Sequence, residues 1–340
     1  MRRSHRRLAT VVAASLLLTL FGFAGCSRAT GSPSGEPAAA AGRSGSSLWT
    51  LTERGAKTEL ILKLKSPPDV IVLGGSRALR FQPSYIHRLT GLTAFNAAVI
   101  MATPEDDWAF ANLFHSRFPR AHFRFLWIIH VDEFDEFAPN AGLLADPFLS
   151  CYLPRRMVSA GLNRMVSKNS ALFTGGRHPA VLAPDGFTIS DGISAMAANG
   201  STFQQRIHSW LTMMLRFYSR HKPRIDPMPD HFFRMTLELM NDLGDKPVIV
   251  LAPMQPEYYA AVYNRGWEAR HQLVLSYLRG LQKTYRFSVL DFSKLSSIGG
   301  SPAGFYDAVH LRPNTARLVV RAILRDLPHA FAISLPFEPR

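Results

Sequence analysis

Five short apolar runs punctuate the chain: Asp69–Leu73 (DVIVL), Thr93–Asn96 (TAFN), Phe123–Ile129 (FRFLWII), Pro247–Leu251 (PVIVL) and Phe287–Asp291 (FSVLD). They are rich in β-branched and aromatic residues and show little polar alternation. Such runs predict strands buried on both faces, as in a parallel sheet covered by helices. Between them, apolar residues recur at helical spacing near Pro104–Ser116, His231–Leu243, Arg265–Thr284 and Pro313–Leu327. Strand and helix therefore alternate, which predicts an α/β protein built as a three-layer α/β/α sandwich. From about Ala138 to Lys222 the rhythm breaks into Pro-, Gly-, Ser- and Asn-rich sequence with only modest helical pattern, for example Phe203–Tyr218. This segment is expected to be an insertion between the third and fourth core strands, over the carboxyl edge of the sheet where ligands bind. The alternative is a long loop with no structure of its own.

The N-terminal end follows a different pattern. Met1–Arg7 is basic, Leu8–Gly25 is uncharged and apolar, and Cys26 follows at once. A basic stretch, an apolar stretch and small residues before a cut site predict a secretory signal over residues 1–26. The Ala24-Gly25-Cys26 ending resembles the lipobox of bacterial lipoproteins, which implies lipidation of Cys26. A plain signal peptide or an uncleaved anchor remains open. Residues 27–47 are Gly, Ser, Ala and Pro rich, a composition that cannot bury enough apolar surface to order itself, and so read as a flexible tether. The folded domain is expected over 48–340. These features place the protein outside the cytoplasm, in a bacterial cell envelope.

Composition narrows the classes. With 340 residues, 47% hydrophobic and 19% charged, the chain can bury a large core without disulfides. Its formal charge of +14 is spread along the sequence rather than gathered on one helix or interleaved with aromatics. That argues against a nucleic-acid partner and for a generally basic surface, compatible with weak attraction to anionic envelope polymers or lipid head groups. Only Cys26 and Cys151 are present, too few for a cysteine metal site. No metal and no cofactor are expected.

Two blocks carry chemistry. Ser76 stands in Leu73-Gly74-Gly75-Ser76-Arg77-Ala78, directly after the first strand and at the expected start of a helix. Glycines permit a tight turn, and helix-terminal N–H groups favour a developing oxyanion. An N-cap serine or a phosphate-cradling turn would look the same. Near the other end, Tyr306-Asp307-Ala308-Val309-His310 precedes Pro313, which opens the last helix. A nucleophilic serine needs a base, and the base needs a carboxylate to hold its tautomer. Asp and His three residues apart supply both from one loop.

A Gly-x-Ser block after the first strand and an Asp-x-x-His block before the last helix together resemble the SGNH (GDSL-like) hydrolases. The Gly75-Ser76-Arg77 form is similar to the exported branch related to alginate and lipoteichoic acid acyl-modifying proteins. The resemblance spans roughly Asp69–Leu327 and implies a parallel, flavodoxin-like sheet. It assigns Ser76 as nucleophile, His310 as general base and acid, and Asp307 as the orienting carboxylate. The family's second block, Asn-x-Gly, corresponds to Asn96-Ala97-Ala98, which with Ser76 would form the oxyanion hole. The third block, Gly-x-Asn-Asp, meets His130-Val131-Asp132-Glu133, which lacks the asparagine donor; Asp132 or His130 would stand there. An α/β-hydrolase elbow fits less well, because its serine follows several strands and its acid lies well ahead of the histidine.

Other candidates are Arg77, for an anionic substrate group or for a carboxylate at the core edge, and Asp132 for substrate binding. The acidic run Asp132, Glu133, Asp135 and Glu136 reads as a solvated loop rather than a metal site. Trp108, Tyr258, Tyr259 and Trp267 read as packing, with sugar stacking as the alternative. The expected activity is that of an envelope serine esterase or O-acyltransferase working through an acyl-serine. The expected partners are an acylated glycan or small ester, the membrane through a lipid anchor or uncleaved segment, and an envelope acyl-transfer complex. A non-catalytic polysaccharide-binding or scaffolding protein on the same fold is the alternative.

Overall fold

The computed structural model describes residues 52–331 apart from 136, 138, 168–179 and 199. The expected signal peptide, Cys26 and the 27–47 tether lie outside them, as does Glu136. The core is one five-stranded, fully parallel sheet of β1 (Val70–Gly74), β2 (Ala94–Asn96), β3 (Arg124–Ile129), β6 (Val248–Leu251) and β7 (Ser288–Asp291). The strand order is β2-β1-β3-β6-β7, with Val72 opposite Asn96 and Leu126, and Ile128 opposite Val250. The direction of winding reverses between β1 and β3. In open parallel sheets a crevice opens there, at the carboxyl ends of the strands.

The lack of polar alternation in the strands has the expected cause, since both faces are covered. Ile71, Leu73, Phe125, Trp127, Ile129, Ile249 and Leu251 enter one apolar cluster, and Val70, Val72, Leu126, Ile128, Val248 and Val250 enter the other. Successive strand side chains point to opposite faces, so a continuous apolar run feeds two cores. Each such side chain contributes roughly 1.5–3 kcal/mol on leaving water. The first cluster is closed by α1 (Glu53–Lys63), α3 (Pro104–Arg117), α9 (Pro227–Asp242) and α11 (Glu268–Leu281). The second is closed by α2 (Pro83–Thr90) and α12 (Pro313–Asp326). This arrangement is compatible with a three-layer sandwich.

The segment 138–222 contains α4 (Ala141–Ala145), α5 (Pro147–Ser150), α6 (Arg155–Ser167), a hairpin of β4 (Val181–Leu182) and β5 (Thr188–Ser190), α7 (Gly192–Ala198) and α8 (Phe203–Arg220). Its hairpin turn covers the free edge of β2: the Asn96 N–H donates to Asp185 O at 2.9 Å. Gly186 has φ +75° there, and a Cβ would come 2.3 Å from Asn96 O, so only glycine lets the turn approach. Short α10 (Pro256–Val262) joins β6 to α11 through an irregular turn. No helix among the described residues is long and apolar enough to cross a membrane.

Candidate active site

The serine block is shaped by Gly74. Its φ is +122°, and a Cβ would lie 2.1 Å from Ile128 O of the neighbouring strand. Glycine therefore lets β1 run hard against β3 and then release the chain at Gly75. Ser76 opens a single 3-10 turn, Ser76–Ala78, where the sequence suggested a helix start. The first helix after it, α2, begins only at Pro83, so the macrodipole of a long helix is not behind Ser76. The turn is held from below by Asn96, fully buried, whose Nδ2 donates to Ala78 O at 2.9 Å and Phe81 O at 2.8 Å.

The second block arrives from the far end of the chain. Phe305 and Leu311 pair across a narrow loop, and the Tyr306 N–H donates to His310 O at 2.8 Å. Asp307 works in two directions from this turn. Its Oδ1 accepts the N–H groups of Val309 and His310, both at 2.9 Å, and its Oδ2 lies 2.7 Å from His310 Nδ1. His310 Nε2 lies 2.8 Å from Ser76 Oγ, bridging 234 residues of sequence. With a carboxylate accepting at Nδ1, that nitrogen carries the proton, and Nε2 accepts from the serine hydroxyl. Burial pushes the Asp307 carboxyl up, but the His310 ring bond, the His310 charge and the two backbone N–H groups outweigh it and hold the group below the usual carboxylate range. The structure thus brings Ser76, His310 and Asp307 into one hydrogen-bonded line at the carboxyl edge of the sheet.

The oxyanion partners differ from expectation. The Ala98 N–H donates to Asn96 Oδ1 at 3.0 Å and is not free for an oxyanion. Asn96 has spent its own donors on the serine turn. Beneath both, the ammonium of buried Lys57 on α1 donates to Asn96 O at 3.0 Å and to Ala98 O. Burial pushes that ammonium down to about 8. Ala98 and Asn96 are therefore struts of the serine turn rather than oxyanion donors. The Ser76 and Arg77 N–H groups, by contrast, meet no acceptor among the described residues.

The acidic run is also not a solvated loop. Asp132, Glu133 and Asp135 are all buried at the end of β3. The sequence missed their counter-ion, Arg270 of α11, which pairs with Asp135 and lies 3.9 Å from Asp132 Oδ1. Asp132 Oδ2 accepts from Tyr218 of α8 at 3.2 Å, while its buried Oδ1 meets no hydrogen-bond donor among the described residues. Burial pushes Asp132 up to about 6, against the pull of Arg77 and Arg270. His130, 3.2 Å from Glu133, is pushed down to about 3 by burial and by Arg77, and so stays neutral. Arg77 exerts this field without a carboxylate within ion-pair distance or a hydrogen-bond acceptor among the described residues. Trp108, Tyr258 and Trp267 are buried as packing residues. Among the described residues no group of His, Cys, Asp and Glu could hold a metal ion.

Asp107 on α3 belongs to the same floor. It accepts from Trp127 Nε1 at 2.9 Å. Burial and the neighbouring Asp106 push its carboxyl from 3.8 up to about 8. Between those values the folded chain binds more protons than the unfolded one, so stability falls as pH rises across that window. Asp107→Asn, which keeps an acceptor for Trp127, is expected to flatten this fall. Thermal midpoints from about pH 6 to about pH 9 check it, and equal losses in wild type and variant would rule the assignment out.

Sequence reasoning also missed Arg80, Arg206, Trp210 and Lys57, none of which lies in a motif; only their packing reveals them. No family model matches the chain, and no curated protein matches it.

Proposed function

We propose that the chain is a serine esterase or O-acyltransferase of the bacterial cell envelope, built on an SGNH-type hydrolase fold. The observation that carries this is the line Ser76 Oγ, His310 Nε2, His310 Nδ1, Asp307 Oδ2, with links of 2.8 and 2.7 Å at the winding reversal of a parallel sheet. In this reading Ser76 Oγ attacks the ester carbonyl carbon while His310 Nε2 takes the hydroxyl proton. The carbonyl π electrons move to oxygen, and the N–H groups of Ser76 and Arg77 stabilise that charge. The Arg77 guanidinium adds a positive field, which buried Asp132 and Glu133 share. Collapse expels the alcohol, which takes the proton from His310, and leaves acyl-Ser76. Water or a glycan hydroxyl then attacks the acyl carbon and gives its proton to His310; the acyl carbon–Oγ bond breaks, Ser76 Oγ takes that proton back, and the acid or the new ester leaves. Water makes the protein an esterase; a glycan hydroxyl makes it a transferase. Export, and a lipid anchor at Cys26, rest on the N-terminal sequence.

A fluorophosphonate tests the reading, because phosphonylation of a serine with loss of fluoride requires an activated hydroxyl. Wild-type protein is expected to label, with the adduct on the peptide containing Ser76. A second reading, a polysaccharide-binding or scaffolding protein without turnover, is favoured by one observation: the Ala98 N–H is committed to Asn96. Absence of the adduct would select it.

A further inference from the structure

The segment inserted between β3 and α9 touches both halves of the triad. Arg80, four residues beyond Ser76 and almost fully buried, donates to Thr188 O at 2.6 Å and to Asp191 Oδ1 at 2.7 Å, both in the insertion. The same guanidinium lies 5.4 Å from the ring centre of Tyr306, the residue before Asp307. Arg312 lies over that ring too, 4.7 Å from its centre. From α8, Arg206 Nε donates to Tyr306 O at 2.7 Å, while its Nη1 is anchored on Ser201 O at the foot of the same helix. One turn further along α8, Trp210 sets the edge of its ring against His310, with centroids 5.5 Å apart at 69°.

The serine turn and the histidine loop arise 234 residues apart. Behind the turn, α12 is tied to the serine side through Arg317 on Gln82 and Arg321 on Tyr85, and the Gln255 N–H holds Ala308 O. The insertion adds contacts at the imidazole and at the carbonyl before Asp307. Arg80 ties it to the serine side, Arg206 grips the carbonyl next to Asp307, and Trp210 limits rotation of the imidazole. We infer that Arg206 and Trp210 are positioning residues, and that α8, rather than the sheet alone, holds His310 in line with Ser76. This rests on the serine-enzyme reading. Small errors in such a line are costly, since a displacement of about 1 Å costs on the order of a hundredfold in rate.

The test is fluorophosphonate labelling kinetics on the full chain, separating the limiting rate of adduct formation from the affinity for the probe. R206A and W210A are expected to lower the limiting rate roughly ten- to a hundredfold with affinity unchanged. W210F, which keeps an aromatic edge on His310, and R206K, which keeps one donor for Tyr306 O, are expected to recover most of it. Both positions are only half-buried, and thermal unfolding checks each fold; if an alanine variant does not fold, the comparison of R206K and W210F with R206Q and W210L replaces it. A labelled wild type with variants at its limiting rate overturns this inference alone, as does a change confined to affinity. An unlabelled wild type overturns the serine-enzyme reading and this inference with it.

Discussion

Ser76→Ala is expected to lower turnover of an acyl ester by roughly 10³- to 10⁶-fold and to abolish covalent labelling, with little change in thermal midpoint. The size follows from what is removed. Among the described residues the Ser76 hydroxyl is the group that hydrogen-bonds His310 Nε2, at 2.8 Å. The fold is expected to survive because Ser76 bears no structural load through its side chain. The turn is set by Gly74 and Gly75 and clamped by Asn96, all independent of the hydroxyl. The measurement is kcat on a small acyl ester beside a thermal melt. An alanine variant that turns over at the wild-type rate would remove Ser76 from the mechanism.

The second large effect concerns Asp307. Asp307→Asn is expected to reduce kcat by about 10³- to 10⁴-fold with a modest change in KM. Asparagine can still accept the N–H groups of Val309 and His310 through its oxygen, so the turn is retained. Its amide nitrogen then faces His310 Nδ1, and two donors cannot meet there. The ring proton moves to Nε2, which can no longer accept from Ser76. The loss is therefore in tautomer rather than geometry. A loss smaller than about tenfold would make Asp307 a turn-forming residue only.

These two expectations differ in kind from the pH dependence assigned to Asp107. Asp307 is held ionised by donors around it, whereas Asp107 is pushed toward its neutral form by burial and a like charge. One carboxylate orients a base; the other sits beneath the site as a latent destabiliser at alkaline pH. The neutral state of His130, 3.2 Å from Glu133, belongs with the second group.

Much of the framework was legible from apolar pattern. The run DVIVL predicted β1 within one residue, and Pro313 marked the start of α12, because continuous β-branched runs and an N1 proline act through local geometry alone. The two chemical blocks were legible for a similar reason: Asp307 and His310 meet through a turn of four residues. What failed were the inferences about how the polar groups around the triad are paired. The acidic run after β3 looked solvated because Arg270 stands 135 residues from Asp135. Ala98 looked free because the partner that uses its N–H, Asn96, is itself oriented by the carbonyls of Ala78 and Phe81. Lys57, buried beneath this site, was invisible among ordinary surface-type lysines.

The sequence by itself determined the order of the five core strands, four of the helices that cover them, and the presence of a serine block and an Asp-His block, since each is encoded within a few residues. Only the tertiary structure decided that Ser76 and His310 are hydrogen-bonded, that Asn96 and Ala98 support the serine turn, and that α8 packs on the histidine. Those are contacts between segments far apart in the chain. Their existence depends on packing and on where buried polar groups find partners, which no local pattern records.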